Sequence, residues 1–317
     1  MHMWRTVVPG SRRVRVALAT TLVAGALASG PALAGATSAR VVDAPTPLHS
    51  FVSNAHVAWR GVGRPVHGAR AVYVTSLQMP DGPPRAAGIA WMNTRLLAAR
   101  LYSGSLSPGG VSWHYSAPIA TSAARTLVAA FNGGFLMKDS HGGYLSEGRL
   151  VAPLRVGAAS LVIYRNGDVT VGQWGRDVTM SPAVVAVRQN LTLLVDHGRP
   201  VAGLRPSDVL TWGMSLHQVV NDWRSGLGVT ASGNLVYVAG QLNIVDLAHT
   251  LVRAGAIRAM VLDMNPLWPV FATYSPSTPN GLAAPSNGTT LLASMYQTPA
   301  RFFQPTYSRD FITMSAR

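Results

Sequence analysis

The stretch "LVAAFNGGFLM" (residues 127–137) places an amide side chain and two glycines inside an apolar run. Asn132 can donate to one oxygen and accept from one hydroxyl. Gly133 and Gly134 have no β-carbon, so another group can approach the backbone closely, and successive backbone N–H groups can hold an anion. A β-bulge or tight turn explains the same three residues, and these residues alone do not choose between a turn and an anion site.

Two other stretches offer charged groups next to apolar runs. Asp263 ends the apolar segment "MVLD", where burial of its charge is costly without a partner. The end of a strand that follows a helix is a frequent place for a catalytic acid, although the carboxylate can equally hold the next loop. In "NDWRSGLGVT", Arg224 can bind a phosphate with two parallel hydrogen bonds and Trp223 can stack on a sugar. A surface salt bridge between Asp222 and Arg224 is the alternative.

Composition and motifs exclude several other classes of site. The nine histidines show no i, i+4 pairing, and no HExxH, P-loop or GxSxG motif occurs. With no cysteine, the chain has neither a thiol nucleophile nor a thiolate metal site. The net charge of +14 favours anionic partners. Because the basic residues after the first 34 are scattered singly, without an aromatic-basic signature, we expect no nucleic acid among those partners.

The first 34 residues have the pattern of a secretory signal peptide. A basic lead (1–15) is followed by an apolar segment (16–28) and by a small-x-small site at Ala32 and Ala34. The apolar segment is shorter than the roughly 20 residues that span a bilayer, although an uncleaved anchor is the alternative. We therefore expect a secreted or cell-envelope protein with no membrane span apart from this segment.

The rest of the chain is predicted to form one domain. Residues 35–66 show no periodicity and are interpreted as a linker, whereas residues 67–317 show no internal repeat and no second composition. Short β-rich runs separated by turn residues dominate this part. The fold class predicted is α+β, a β-rich domain of mixed or antiparallel sheet with few helices.

Three elements of this domain are clear from local patterns. "ASLVIYRNGDVTVGQW" predicts a hairpin with a type I′ turn at Asn166-Gly167. "GLGVTASGNLVYVAG" repeats that pattern around residues 232–234. "NIVDLAHTLVRAGAI" predicts a helix that begins after the capping residue Asn243 and ends at Gly255.

Taken in order, the motifs are more specific than any one of them. Asn-Gly-Gly-Phe (132–135) precedes the hairpin "GGYLSEGRLVAP", which precedes "RSGLGVT", a helix and a strand ending in Leu-Asp. From about residue 70 to 275 this order resembles the phosphodiester glycosidase family, the family of the lysosomal enzyme that uncovers mannose 6-phosphate tags. The resemblance is to a divergent, exported bacterial member.

The resemblance implies a reaction and a site. Members hydrolyse the bond between the anomeric carbon of a sugar and a phosphodiester, and bacterial members act outside the cell or in its envelope on phosphodiester-linked glycans. Position by position, Asn132-Gly133-Gly134 matches the family's Asn-Gly-Gly, Arg224 its arginine before the glycine strand, and Asp263 its Leu-Asp. The resemblance implies that all of them line one site.

One departure from the family concerns the loop after the last strand. The family usually reads Leu-Asp-Gly-Gly-Gly-Ser, whereas this chain reads "LDMNPLW" (262–268). Pro266 stiffens the backbone where glycine would let it bend. Either Asn265 and Trp268 rebuild the site for another substrate, or catalysis is lost and binding remains.

The expected function is hydrolysis of glycosyl phosphodiester bonds in envelope or extracellular glycans. The alternative is a non-catalytic envelope glycan binder of the same fold, with Trp223 and Trp268 as stacking platforms. No cofactor is certain; Asp263 and Asn265 are oxygen ligands suited to Ca²⁺, but two ligands do not make a metal site. The predicted catalytic residues are Asp263, Asn132 and Arg224, and the predicted substrate-binding residues are Gly133, Gly134, Asp222, Trp223, Asn265 and Trp268.

Overall fold

A computed structural model of the chain describes residues 44–110, 112–214 and 219–317. The predicted signal peptide, residues 1–34, lies outside the described residues, as does the first part of the predicted linker. From residue 44 onward the chain forms many short strands and few helices, which confirms the predicted β-rich α+β class.

The described strands are short and follow one another closely along the chain. In chain order they are β1 (Leu48–His49), β2 (His56–Val57), β3 (Arg60–Val62), β4 (Val72–Gln78), β5 (Ala86–Met92), β6 (Leu97–Tyr102), β7 (Leu127–Asn132), β8 (Tyr144–Ser146), β9 (Arg149–Ala152), β10 (Ala159–Tyr164), β11 (Val169–Gln173), β12 (Val184–Gln189), β13 (Leu193–Asp196), β14 (Arg199–Pro200), β15 (Asp222–Thr230), β16 (Leu235–Leu242), β17 (Ala256–Met264), β18 (Phe271–Tyr274), β19 (Gly288–Thr290) and β20 (Phe311–Ala316). The α-helices are α1 (Thr121–Ala124), α2 (Val209–Trp212) and α3 (Ile244–Arg253), and 3₁₀ turns cover Pro285–Asn287 and Pro299–Phe303.

Most of these strands belong to three antiparallel sheets. The largest has the order β14-β13-β17-β15-β16-β5-β4-β3, and is called the central sheet here. The second has the order β19-β18-β7-β20-β6. The third has the order β11-β10-β12-β8-β9, while β1 and β2 form a separate pair.

Both faces of the central sheet are buried. One face packs on the two five-stranded sheets, so that Phe131 of β7, Ile163 of β10 and Leu227 of β15 belong to one apolar cluster. The other face packs on α3 through Leu247 and Leu251. Complete burial of each such side chain contributes about 1.5–3 kcal/mol to stability, so the two layers hold the strands that carry the polar residues described below.

The glycines of β15 let α3 approach the central sheet. A β-carbon at Gly226 would lie 3.0 Å from Leu251 and 3.3 Å from Leu247. The helix begins after Asn243, whose side chain accepts from the backbone N–H groups of Val245 and Asp246. The pattern "RSGLGVT" therefore reflects close packing of a helix on a strand.

The described part of the predicted linker contributes to the fold. Residues 60–62 form β3, which pairs with β4 at the edge of the central sheet, and Leu48 and Val66 are buried. Strands of two or three residues are too short to show the alternation by which a strand is recognised. Aperiodicity in residues 44–66 was therefore not a sign of an extended linker.

The hairpin β10–β11 is present as predicted, but its turn differs. Gly167 has a φ of +83°, whereas Asn166 lacks the positive φ that a type I′ turn requires. The N–H of Gly167 donates to the carbonyl of Tyr164 and that of Tyr164 to Asp168. The loop is thus a three-residue loop with the glycine in the left-handed position.

Within the described residues, no helix has the length and apolar character needed to cross a membrane.

Candidate functional site

Asn132 links two sheets and uses its whole amide in doing so. Its Nδ2 donates to the carbonyl of Gly133 at 2.9 Å and to Ser225 Oγ at 3.0 Å. Its Oδ1 accepts from Tyr237 Oη at 2.8 Å and from the N–H of Val270 at 3.1 Å. An amide has two donor hydrogens and two acceptor lone pairs, so no hydrogen-bonding capacity is left for a ligand. Asn132 therefore holds β7 against β15 and β16 and has a structural role.

The glycine after Asn132 is required by the chain's own Asp310. A β-carbon at Gly133 would lie 2.1 Å from Asp310 Oδ2, and the N–H of Gly133 already donates to the Asp310 carbonyl at 2.9 Å. At Gly134 a β-carbon would lie 3.0 Å from the guanidinium of Arg188. The groups that approach this backbone closely belong to the protein, so the N–H of Gly133 is not free to hold an anion.

Asp310 and Arg188 form a salt bridge with no exposed side-chain surface. Arg188 Nε donates to Asp310 Oδ2 at 2.8 Å, and both side chains are 0% exposed. Ser107 Oγ also donates to this carboxylate, at 3.0 Å. The remaining Arg188 nitrogens donate to the carbonyls of Gln189 and Phe135. Full hydrogen bonding of both partners is what makes burial of two charges tolerable.

Asp263 lies beside this pair and is held by a second arginine. Arg309 Nη2 donates to Asp263 Oδ2 at 2.5 Å and to the carbonyl of Gly134 at 3.1 Å. The other carboxylate oxygen accepts from the N–H of Met264 at 2.8 Å. The backbone of Asp263 is bonded to Ser225 Oγ, which also binds Asn132. Asn132, the Gly-Gly pair and Asp263 thus meet at one place, as predicted from their motifs.

Burial raises the pKa of Asp263 to about 7. Removal of the carboxylate from water is the largest influence on this pKa. The charge of Arg309 and the hydrogen bond from Met264 lower it, while the nearby Asp310 raises it. An acid with a pKa near neutrality can both accept and release a proton at physiological pH.

Arg224 lies on the other face of the central sheet from Ser225. The two residues are consecutive in β15, and side chains of consecutive strand residues point to opposite faces. Arg224 Nη1 contacts the carbonyl of Trp212 at 3.2 Å and Met264 Sδ at 3.7 Å. In the described part of the chain, no contact joins its guanidinium to Asp263 or Asn132. The prediction that all three groups converge is therefore met for two of them.

Arg224 and its neighbours in β15 are buried and incompletely paired. Arg224 is 2% exposed, its Nε has no partner, and burial lowers its pKa. Asp222 Oδ1 accepts from the N–H of Trp223, while Oδ2 is buried without a partner. Asp222 and Arg224 do not form the surface salt bridge considered as the alternative. Trp223 is 3% exposed within the main apolar cluster, so its ring faces are not open to a sugar.

The loop after Asp263 forms a turn without the family's glycines. Asn265 has a φ of +72°, and asparagine is among the few residues other than glycine that adopt this conformation readily. The N–H of Trp268 donates to the Asn265 carbonyl at 3.2 Å, and Pro266 suits the second position of such a turn. The indole of Trp268 stacks on Arg309, with 4.4 Å from Cζ to the ring centre. Trp268 thus lies next to the partner of Asp263.

The two oxygen groups suited to Ca²⁺, Asp263 and Asn265, lie outside any cluster of acidic and histidine side chains in the described part of the chain. Among the described residues, no group of three or more histidine, aspartate or glutamate side chains is arranged to hold a metal ion. Asp263 already has both carboxylate oxygens engaged by N–H donors.

The sequence reasoning did not select the residues that hold Asp263 in place. Arg309 and Asp310 precede the terminal strand, and Arg188 lies within the apolar strand "VVAVRQ". A charged residue inside an otherwise apolar strand signals a buried ion pair, and Arg188 carries that signal. The partner was not predictable, because 122 residues separate Arg188 from Asp310.

The part of the chain that carries the motifs described above also matches the sequence model of a known family. The sequence model of the phosphodiester glycosidase family matches residues 125–263, within the span over which the motifs resemble that family. The resemblance is therefore confirmed. No curated protein sequence matches the chain at a significant level.

Solved structures with a similar arrangement share little sequence with this chain. The catalytic domain of zebrafish N-acetylglucosamine-1-phosphodiester alpha-N-acetylglucosaminidase, auto-inhibited by its pro-peptide, is 13% identical with a TM-score of 0.49, covering 87% of this chain and 96% of that one. A hypothetical protein from Synechocystis is 12% identical with a TM-score of 0.41, covering 82% and 68%. Similarity at this level carries no argument about activity.

We expect Gly133→Ala to destabilise the protein by at least about 3 kcal/mol, the upper end of the usual cost of overpacking. The new β-carbon would lie 2.1 Å from a carboxylate oxygen that is itself fixed by a buried salt bridge. Gly134→Ala is the control, because its new β-carbon would lie 3.0 Å rather than 2.1 Å from its nearest neighbour, the guanidinium of Arg188. Urea denaturation compares the two. Equal losses in both variants would contradict the importance of the Asp310 contact.

We expect the free energy of unfolding of the wild type to fall, relative to Asp263→Asn, as pH rises from about 4 to 8. The folded-state pKa of about 7 lies above the ordinary 3.8, so the folded state holds the proton more tightly. The stabilisation is complete below about pH 4 and is lost as pH rises through about 7. A difference of about 3 pKa units corresponds to about 4 kcal/mol.

This pH dependence is measured by urea denaturation of both proteins across that range. Other groups titrate in both proteins and cancel in the difference. A difference that does not change with pH would mean that Asp263 is ionised throughout.

Proposed function

From the premise that residues 125–263 match the phosphodiester glycosidase family, we propose that this protein hydrolyses glycosyl phosphodiester bonds. The observation that carries the proposal is the environment of Asp263. The motif resemblance assigns this residue to the site, and it is a buried carboxyl whose pKa is raised to about 7. It is oriented by Arg309 on one oxygen and by the N–H of Met264 on the other.

Asp263 acts on the anomeric carbon or on its attacking water, as nucleophile or general base. Arg309 is a positioning residue, because it reaches the reaction through the Asp263 carboxylate. Trp268 stacks on Arg309 and Asp263 is buried, so we propose that the turn of residues 265–268 moves aside to admit the substrate. Asn265 and Trp268 would then contact the sugar.

The phosphate is assigned to Arg224, which has an unpartnered Nε and no carboxylate within salt-bridge distance among the described residues. Arg224 pairs across the sheet with Met264, the residue after Asp263. Both groups therefore lie at the same end of the neighbouring strands β15 and β17. A phosphodiester bound across these strand ends reaches Arg224 from one face of the sheet and Asp263 from the other.

We expect the full chain to release free sugar from a sugar-1-(p-nitrophenyl phosphate) diester, and Asp263→Asn to lower kcat by at least about 100-fold, the usual range for a lost acid–base group. Cleavage at the sugar releases p-nitrophenyl phosphate, which becomes coloured only when a phosphatase is added. Attack at phosphorus expels p-nitrophenolate, which is a far better leaving group than the sugar, and gives colour without phosphatase. The assay thus separates a glycosidase from an ordinary phosphodiesterase.

The matched control for this assay is Asp81→Asn, which removes an exposed turn carboxylate. A thermal melt of each variant separates lost chemistry from lost folding. Equal turnover in wild type and Asp263→Asn would remove Asp263 from the mechanism.

A non-catalytic glycan binder is the alternative, and one observation favours it. Asp263 is held in a salt bridge with Arg309, as expected of a carboxylate without a reaction to perform. The tryptophans do not favour it, because Trp223 is buried in the apolar cluster and one face of Trp268 is covered by Arg309. Absence of sugar release from diesters of several different sugars, together with retained glycan binding, would support the binder.

We further propose that the protein acts outside the cytoplasm, in the envelope or as a secreted protein, on phosphorylated glycans. The secretory pattern of residues 1–34 and the net charge of +14 support this. Expression of the full chain with a C-terminal tag, followed by cell fractionation, tests it. We expect the tag in the extracytoplasmic fraction with loss of about the first 34 residues. Tagged protein retained in the cytoplasm at full length would contradict export.

A further inference from the structure

One cavity of the described structure lies away from Asp263. It is a cleft of about 970 Å³ bordered by β6, β20 and the turns of the third sheet, and none of Asn132, Arg224 and Asp263 lines it. A second hollow of about 590 Å³ shares Tyr164, Arg165 and Asn166 with it. Ligand sites usually measure roughly 300–1,000 Å³, so the first cavity, here called the β6–β20 cleft, can hold more than one sugar.

The floor of the β6–β20 cleft is a sheet surface of small and polar side chains. In the antiparallel pair of β6 and β20, Ala98 is opposite Ser315 and Arg100 is opposite Thr313. All four line the cleft. The alternate residues, such as Leu101 and Met314, point into the main core. Because small side chains replace large apolar ones on this face, a ligand can lie directly on the sheet.

The charge of the β6–β20 cleft is positive. Arg100 and Arg165 are exposed and line the cleft, and neither forms a salt bridge within the described residues. Glu147 is the one carboxylate among the lining residues. Its two oxygens accept from the backbone N–H groups of His114 and Tyr115, which holds the wall of the cleft in place. Arg165 Nη2 donates to the carbonyl of Pro182 at 3.1 Å, but no carboxylate neutralises either guanidinium in the described part of the chain, so both can attract an anion.

Aromatic and hydroxyl groups accompany the two arginines. Arg100 stacks on Tyr115 at 4.1 Å, so an arginine and a ring are presented together. Tyr164 lies on the side of Arg165. Tyrosine rings pack against the apolar faces of sugars, and the hydroxyls of Thr313 and Ser315 suit the polar edges of sugars. Inorganic anions need the arginines alone, whereas a glycan uses all three kinds of group.

We propose that the β6–β20 cleft is a binding site for a phosphorylated glycan chain, separate from the site of Asp263. This proposal rests on the substrate class proposed above, a phosphorylated glycan, but not on the hydrolysis of that glycan. The cleft and Asp263 are joined by β20, which begins after Arg309 and Asp310 and carries Thr313 and Ser315. At about 3.4 Å per residue, Thr313 is about 14 Å along the chain from Arg309. A polymer held in the cleft is thereby kept close to Asp263.

Binding is tested with fluorescently labelled dextran phosphate and the full chain, by fluorescence anisotropy. Dextran phosphate carries its phosphates on non-anomeric hydroxyls and is therefore not a substrate. We expect the double variant Arg100→Gln/Arg165→Gln to raise its Kd at least about tenfold, as for loss of two charge-assisted contacts. The control is Arg60→Gln/Arg205→Gln, which removes the same charge from exposed positions outside the cleft, and its Kd should change less than about twofold.

Two competitors separate a glycan site from a general anion site. Tyr115→Ala should weaken binding of dextran phosphate but leave binding of inorganic polyphosphate unchanged, and neutral dextran should compete poorly. Equal losses in the two double variants, or equal competition by polyphosphate and dextran phosphate at the same phosphate concentration, would overturn the proposal.

Turnover of the small diester distinguishes this inference from the proposed reaction. The Arg100→Gln/Arg165→Gln variant should hydrolyse the sugar-1-(p-nitrophenyl phosphate) diester at the wild-type rate, because that substrate does not reach the cleft. If the wild type binds dextran phosphate through the cleft but hydrolyses no diester, the proposed reaction fails and the binding site stands. If it hydrolyses the diester but the arginines of the cleft have no effect on binding, the binding site fails alone.

Discussion

The buried salt bridge between Arg188 and Asp310 is the interaction on which the arrangement of the site depends. Arg188 belongs to the third sheet, and Asp310 immediately precedes the last strand of the second. Since neither side chain contacts water, loss of either partner would leave an uncompensated charge, at a typical cost of about 3–5 kcal/mol. The salt bridge therefore fixes the position of the second sheet relative to the third, at the end of β12 and the start of β20.

The Asn-Gly-Gly segment is a consequence of that constraint. Gly133 lacks a β-carbon because the Asp310 carboxylate occupies the space, and Asn132 uses its amide to fasten the second sheet to the central sheet through Ser225 and Tyr237. These residues form a rigid support below Asp263, whose own carboxylate is turned toward Arg309. In the proposed reaction these fixed surroundings would help Asp263 to exchange protons, because its orientation would cost nothing at the moment of reaction.

Arg224 and the arginines of the β6–β20 cleft both lie away from Asn132, at two different places. Arg224 is separated from Asn132 by the thickness of the central sheet, since neighbouring strand residues point to opposite faces. Only a ligand at the strand ends can contact both Arg224 and Asp263. The cleft lies along β20, away from Asp263, and its lining includes two exposed arginines, Arg100 and Arg165. Under the two proposals, a long anionic ligand would meet the exposed arginines of the cleft and the buried Arg224 at separate places.

The sequence by itself determined the elements whose signals are local. Two β-rich arms around Asn166-Gly167 predicted β10 and β11, Asn243 and Gly255 predicted the ends of α3, and the order of the motifs indicated the family. The offset turn at Asn166 and the short strand β3 were missed because a segment of at most three residues carries too little pattern. Only the tertiary structure decided the partners of Asp263 and Asp310, which lie 46 and 122 residues away in the chain. Periodicity records which face of an element is buried, whereas the choice of an ion-pair partner depends on how distant elements pack, and no local pattern records that.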